Sequence, residues 1–115
     1  MKVLEVDGKD ADFYNLCCEL EMFQFSLLPV LKEKGYCLTS NLQEVIKAYV
    51  LYNNNAVVGC VGLRPVTSEV CEIVRVYVKK KFRCKGYATM LIEKVENLAK
   101  ELGFKQFTTT LSVSP

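Results

Sequence analysis

From Glu72 the chain runs Glu-Ile-Val-Arg-Val-Tyr-Val to Val78, passes three consecutive lysines, and reaches Arg83-Cys84-Lys85-Gly86-Tyr87-Ala88 at the mouth of a helical pattern. A strand that must become a helix through one glycine leaves few ways to fold. Gly86 lets backbone approach a ligand where a Cβ would collide, and it turns a tight loop into a helix cheaply. The first N-H groups of the helix have no intrahelical partner, and the aligned peptide dipoles add roughly half a positive charge there. Lys79, Lys80, Lys81, Arg83 and Lys85 raise the local positive potential further. The junction therefore suits an anion, and a pyrophosphate is the obvious guest. An ordinary strand-to-helix turn with a solvated basic rim would carry the same residues.

The helix after the loop carries Ala88, Leu91, Ile92, Val95, Leu98, Ala99 and Leu102 as one apolar stripe, and Gly103-Phe104 supplies its stop. Before the junction, Val45 to Tyr52 has strand composition and Asn53-Asn54-Asn55 closes a hairpin, since Asn tolerates the positive φ such turns need. Val57, Val58, Cys60, Val61 and Leu63 form the return strand, weakened slightly by Gly59 and Gly62. Pro65 and Thr67-Ser68-Glu69 turn the chain into Val70 to Val78, completing an antiparallel meander. In that last strand Cys71 and Ile73 share one parity while Val74, Val76 and Val78 share the other, so a bulge is expected at Ile73-Val74. Burial of both faces under helices would give a similar apolar run.

At the start, Lys2 to Val6 alternates as a strand, and Asp10 is a candidate N-cap. Phe13, Leu16, Cys17, Leu20 and Phe23 then recur on one face of a helix. Pro29 is expected to bend it or begin a second helix that Gly35 ends. Residues 105–113 read as a fifth main strand, with Phe107, Thr109, Leu111 and Val113 alternating.

A chain of 115 residues is one domain, and 50% hydrophobic content with 24% charged excludes a disordered one. No apolar run approaches the roughly 20 residues that cross a bilayer, and the basic-then-apolar pattern of a leader is missing. The expectation is a cytoplasmic protein without a membrane partner. A net charge of +2 without interleaved aromatic and basic residues argues against nucleic acid. The six cysteines lack metal-ligand spacing and no histidine accompanies them, so no metal site is expected. Cys60 and Cys71 read as buried reduced thiols. Cys84, at a helix N-terminus among cations, is placed where a thiol becomes more reactive, though it has no histidine partner.

The run from residue 70 to 104, with Arg83-x-x-Gly86-x-Ala88 at its centre, resembles the acetyl-CoA signature of the GCN5-related N-acetyltransferase (GNAT) superfamily. That loop reads Gln or Arg, two residues, Gly, one residue, Gly or Ala. The resemblance implies a mixed α+β acyl-CoA N-acyltransferase fold, a mainly antiparallel central sheet flanked by helices, over residues 1–115 as a single domain. It implies acetyl-CoA as cosubstrate, held by Arg83, Cys84, Lys85, Gly86, Tyr87, Ala88 and Thr89 and by the backbone edge of Val76, Tyr77 and Val78, where a splayed strand receives pantetheine.

The resemblance also places Glu72 where many relatives carry a general base; pairing with Arg75 or a lysine on the sheet surface is the alternative. An N-H near Val76 would stabilise the oxyanion, and Tyr77, Tyr87 or water would serve as acid. Phe23, Phe25, Leu27, Leu28 and Tyr36 would line an acceptor pocket, or else pack as core. The chain departs from the family by stopping before the usual last helix and two strands. Self-association as a homodimer, or derivation from a longer product, is the expectation this raises. The implied activity is acetyl transfer to a primary amine of a small molecule or protein. The alternative is a silent acyl-CoA-binding or interaction module.

Overall fold

A computed structural model describes residues 1–28, 30 and 44–109. Five strands form one sheet in sequence order: β1 (Lys2–Val6), β2 (Lys47–Asn53), β3 (Ala56–Pro65), β4 (Val70–Val78) and β5 (Gln106–Thr109). Neighbours are antiparallel except β4 and β5, which run parallel. Helix α1 (Ala11–Leu27) covers one face and helix α2 (Tyr87–Glu101) the other.

Asp10 starts α1 as read from the sequence, its Oδ2 accepting the N-H of Phe13 at 3.0 Å. Phe13, Leu16 and Cys17 pack on Ala48, Val50, Cys60 and Val74. On the opposite face Leu91, Val95 and Ala99 meet Leu51, Val61, Leu63, Cys71, Ile73 and Val78. These two layers bury the apolar surface on which the fold depends.

The hairpin and meander form as expected, with Asn54 taking the positive φ of 57°. Strand β2 begins at Lys47 rather than Val45, although Ile46 already donates to the Leu63 carbonyl at 2.9 Å. Leu51 pairs with Gly59 but Tyr52 with Val57, so one step on β2 spans two on β3. This explains why Val58 and Cys60, two positions apart, face opposite layers.

The expected bulge in β4 exists, and its place is corrected. Cys60 pairs with Tyr77 and Gly62 with Val74, two residues of β3 against three of β4. The extra residue lies at Arg75, whose φ is 58°, and not at Ile73-Val74. Ile73 and Val74 are ordinary neighbours buried on opposite faces; the parity changes just after them, so that Val76 and Val78 join the layer that Cys71 and Ile73 began. Both faces of the strand are covered as well.

Two stripe assignments also change. Leu102 is 47% exposed because α2 has already ended, Gly103 taking φ 94° and Phe104 N-H reaching the Ala99 carbonyl. On α1, Phe23 is only half-buried and Gln24 takes the inward position beyond Leu20. Of the fifth strand, 106–109 are seen; Leu111 and Val113 lie outside the described residues, as do Pro29, Gly35 and Tyr36.

Candidate functional site

The loop from β4 to α2 is anchored at both ends by its own backbone. Lys79 N-H donates to the Val58 carbonyl at 2.9 Å, and Lys80–Phe82 form a single 3-10 turn. Two left-handed residues then follow, Cys84 at φ 65° and Gly86 at φ 81°. Met90 makes the first intrahelical bond, donating to the Gly86 carbonyl at 3.1 Å. The N-H groups of Tyr87, Ala88 and Thr89 therefore open from the helix's N-terminus. A Cβ at Gly86 would meet nothing within 4 Å, so glycine is needed there for its backbone conformation; the space beside it is open to a ligand.

A cavity of about 150 Å³ opens beside that turn. Val78, Arg83, Cys84, Gly86, Tyr87, Ala88 and Thr89 line it, together with Phe82, which sequence reasoning missed. Phe82 sits inside a lysine run, and its aromatic character amid cations was the available signal; Lys81 Nζ lies 5.1 Å from its ring centre. Lys85 is exposed outside the lining, and Val76 and Tyr77 stand on β4 beyond it. Among the described residues β5 pairs only with Val70 to Ile73, leaving Val76, Tyr77 and Val78 past the point where the two strands are joined.

The cations of the loop do not act alike. Arg83 folds back on the protein: Nε donates to the Val78 carbonyl at 2.8 Å, and the guanidinium lies 4.6 Å from the ring centre of Phe23 and 5.6 Å from that of Tyr77. It links the loop to β4 and α1. Lys79 pairs with Glu19 at 3.5 Å. Glu19 also receives the Tyr77 hydroxyl at 3.4 Å. Burial raises the Tyr77 phenol above its ordinary value, and Glu19 adds to this while Arg83 opposes it.

Glu72 is held by an arginine, Arg64. The two residues face each other in register across β3 and β4. Arg64 Nε donates to Glu72 Oε1 at 3.1 Å, Nη2 reaches the same oxygen, and Nη1 takes Glu44 at 3.0 Å. The hydrogen bond to Glu72 is the chief reason the Arg64 guanidinium is raised above its usual value. This cross-strand partnership needed the register of β3 on β4 and was not legible in the sequence.

Of the residues expected to line an acceptor pocket, Phe23 touches Arg83, Phe25 is half-buried, and Leu27 and Leu28 are exposed. Cys60 and Cys71 are buried thiols, each pushed up chiefly by burial, and Cys84 is exposed. Among the described residues no group of three or more His, Cys, Asp or Glu is placed to hold a metal ion. No described helix is long and apolar enough to cross a membrane.

Comparison with known proteins bears on the family and the fold. The model of the acetyltransferase (GNAT) family matches residues 12–114. A GCN5-related N-acetyltransferase from Ralstonia eutropha superposes with a TM-score of 0.68 at 14% identity, over 96% of this chain and 83% of that one. A GNAT family acetyltransferase from Elizabethkingia anophelis with acetyl-CoA bound gives 0.64 at 20% identity, over 90% of this chain and 60% of that one. A structure from Klebsiella pneumoniae assigned as an acyl-CoA N-acyltransferase gives 0.66 at 22%, over 87% of this chain and 63% of that one. The chain thus spans less than two thirds of the last two, and at these identities the structural likeness is one of fold.

Proposed function

Because this chain belongs to the GNAT acetyltransferase family, whose members use acetyl-CoA, we propose that it transfers an acetyl group from acetyl-CoA to a primary amine of a small molecule or protein. The observation that carries the proposal is the cavity between the left-handed turn at Gly86 and Val78, the last residue of the β4 segment beyond the bulge. Open space at Gly86, unpaired amides at the start of α2 and exposed Lys80, Lys81 and Lys85 fit a diphosphate.

In this reading the N-H groups from Cys84 to Thr89 hold the diphosphate, and Val76, Tyr77 and Val78 offer backbone to the pantetheine arm. When bound, acetyl-CoA supplies the thioester carbonyl. A backbone N-H near Val76, aimed by the bulge at Arg75, would stabilise the developing oxyanion. The attacking amine must first lose a proton, and Glu72 is the carboxylate assigned to take it, directly or through water. Arg64 fixes one oxygen of that carboxylate. The thioester C–S bond breaks as the amide forms, and Tyr77, Tyr87 or water supplies the proton to the departing thiolate; the raised Tyr77 phenol keeps its proton at neutral pH.

One observation favours a second reading: the Arg64 contacts hold Glu72 as a structural ion pair. A module that binds acyl-CoA without turnover would follow. Homodimer formation remains part of the proposal, supported by β5 being an edge strand among the described residues; sedimentation as a monomer would remove it. A cytoplasmic location is likewise proposed.

Thermal denaturation with CoA, acetyl-CoA and 3'-dephospho-CoA tests the common core. Ligand at 100 times its dissociation constant stabilises the fold by about 2.7 kcal/mol. No shift with either full cofactor would overturn both readings. Thiol release in the presence of amines separates them, since only the enzyme produces it.

A further inference from the structure

Gln24 is the only polar side chain among the described residues that is fully buried, at 4% exposure. Its carbonyl oxygen Oε1 is out of solvent and has no hydrogen-bond partner among them. A buried carbonyl without a partner costs stability, and most such groups in folded proteins are satisfied. The position is otherwise one for hydrocarbon, following Phe13, Leu16, Cys17 and Leu20 on the inward face of α1.

Neighbouring side chains fix where this end of the helix lies. Glu19 reaches Tyr77 and Lys79, and the Phe23 ring packs on Arg83. The C-terminal half of α1 therefore crosses β4 beyond the bulge, beside the segment assigned to the acyl donor. Phosphate and thioester groups carry only acceptors and cannot satisfy Oε1, and the amide N-H groups of pantetheine are assigned above to the backbone of Val76 to Val78. An amine or ammonium brings N-H donors that can.

We propose that Gln24 Oε1 receives an N-H of the amine substrate and is a specificity-determining residue of the acceptor site. The assignment rests on the transfer reading above. It makes the residue's cost to the fold the counterpart of a contact made only when the amine is bound.

The test compares the full chain with Gln24→Met and Gln24→Glu, using acetyl-CoA with spermidine, kanamycin or an alanyl peptide as amine. Gln24→Met removes the acceptor at similar size. It should raise KM for the amine about tenfold, the effect of one lost hydrogen bond. KM for acetyl-CoA should not change, and the melting temperature should stay level or rise. Gln24→Glu keeps an acceptor oxygen and should recover amine binding.

An unchanged amine KM in Gln24→Met overturns the assignment, as does an increase confined to acetyl-CoA. A lower melting temperature for Gln24→Met also overturns it, because the amide would then be serving the fold. If the unsubstituted protein is stabilised by acetyl-CoA yet acetylates none of the three amines, the transfer reading fails and takes this assignment with it.

Discussion

A Cβ placed on Gly59 would lie 2.5 Å from the carbonyl oxygen of Tyr77. The same atom would come within 3.2 Å of Val78 Cα, so backbone on the neighbouring strand leaves no room for it. Gly59 is thus required where β3 meets the end of β4 beyond the bulge, a stronger role than the slight weakening expected of a strand glycine. Gly59→Ala should cost about 1–3 kcal/mol as the pairing shifts. At Gly62 the tightest contacts are side chains, Phe13 Cζ and Val45 Cγ1, both at 3.2 Å, and the nearest backbone atom, the Val74 carbonyl oxygen, lies at 3.4 Å. Gly62→Ala should therefore be milder, and urea unfolding midpoints of the two variants give the order.

Gly86 presents the opposite case, with open space but a φ of 81°. Gly86→Ala should cost roughly 1–2 kcal/mol, the penalty of a left-handed conformation for a residue with a Cβ. Gly86→Asp adds a carboxylate beside the anion site and should abolish the acetyl-CoA shift in melting temperature. A shift retained in Gly86→Asp would dissociate this turn from cofactor binding.

Arg83 joins three elements through one directed hydrogen bond and two ring contacts. Arg83→Lys keeps the charge and loses the planar group that makes those contacts. The lysine variant should resemble Arg83→Gln, each losing about 1 kcal/mol of stability and each weakening acetyl-CoA binding through a misplaced loop. Full function in Arg83→Lys would show that charge alone matters at this position.

Glu72 is where the two functional readings part. As the base, Glu72→Gln should lower turnover by about 100-fold or more while preserving the thermal shift with acetyl-CoA. Arg64→Gln, by releasing the carboxylate, should change turnover with the same cofactor response. Equal rates for Glu72→Gln and the unsubstituted protein would leave the carboxylate a purely structural partner of Arg64.

Stability should fall at alkaline pH. Burial raises the Cys60 thiol, and Tyr52 is raised by burial and by its 2.5 Å hydrogen bond to Asp12. Tyr77 is raised for the reasons given. Each group holds its proton more tightly folded than unfolded, so its contribution is complete below the unfolded value. Loss begins above about pH 8.5 for the thiol and above about pH 10 for the phenols. Urea midpoints under reducing conditions from pH 7 to 11 should decline in that order, with Tyr52→Phe showing the shallower fall above pH 10. A level midpoint across the range would contradict the assignment.

Much of the architecture is carried by short-range chemistry. The helix after the loop has an apolar residue at nearly every third or fourth position, and Asp10, Asn54, Gly86 and Gly103 each occupy the cap or turn their chemistry suits. Parity in β4 likewise disclosed a bulge, because side chains alternate strictly until a residue is added. It did not disclose that Arg75 was the added residue, since that depends on which β3 residue lies opposite.

The site divides along the same line. A glycine that must turn left-handed before a helix, with cations around it, is visible in a few consecutive letters, because backbone sterics and dipoles act within a few residues. That Arg83 turns inward onto Phe23, that Arg64 claims Glu72, and that Gln24 is sealed without a partner were settled only when distant segments met. Those contacts join residues 8 to 60 positions apart, and packing between layers and strand register, which no local pattern encodes, decides them.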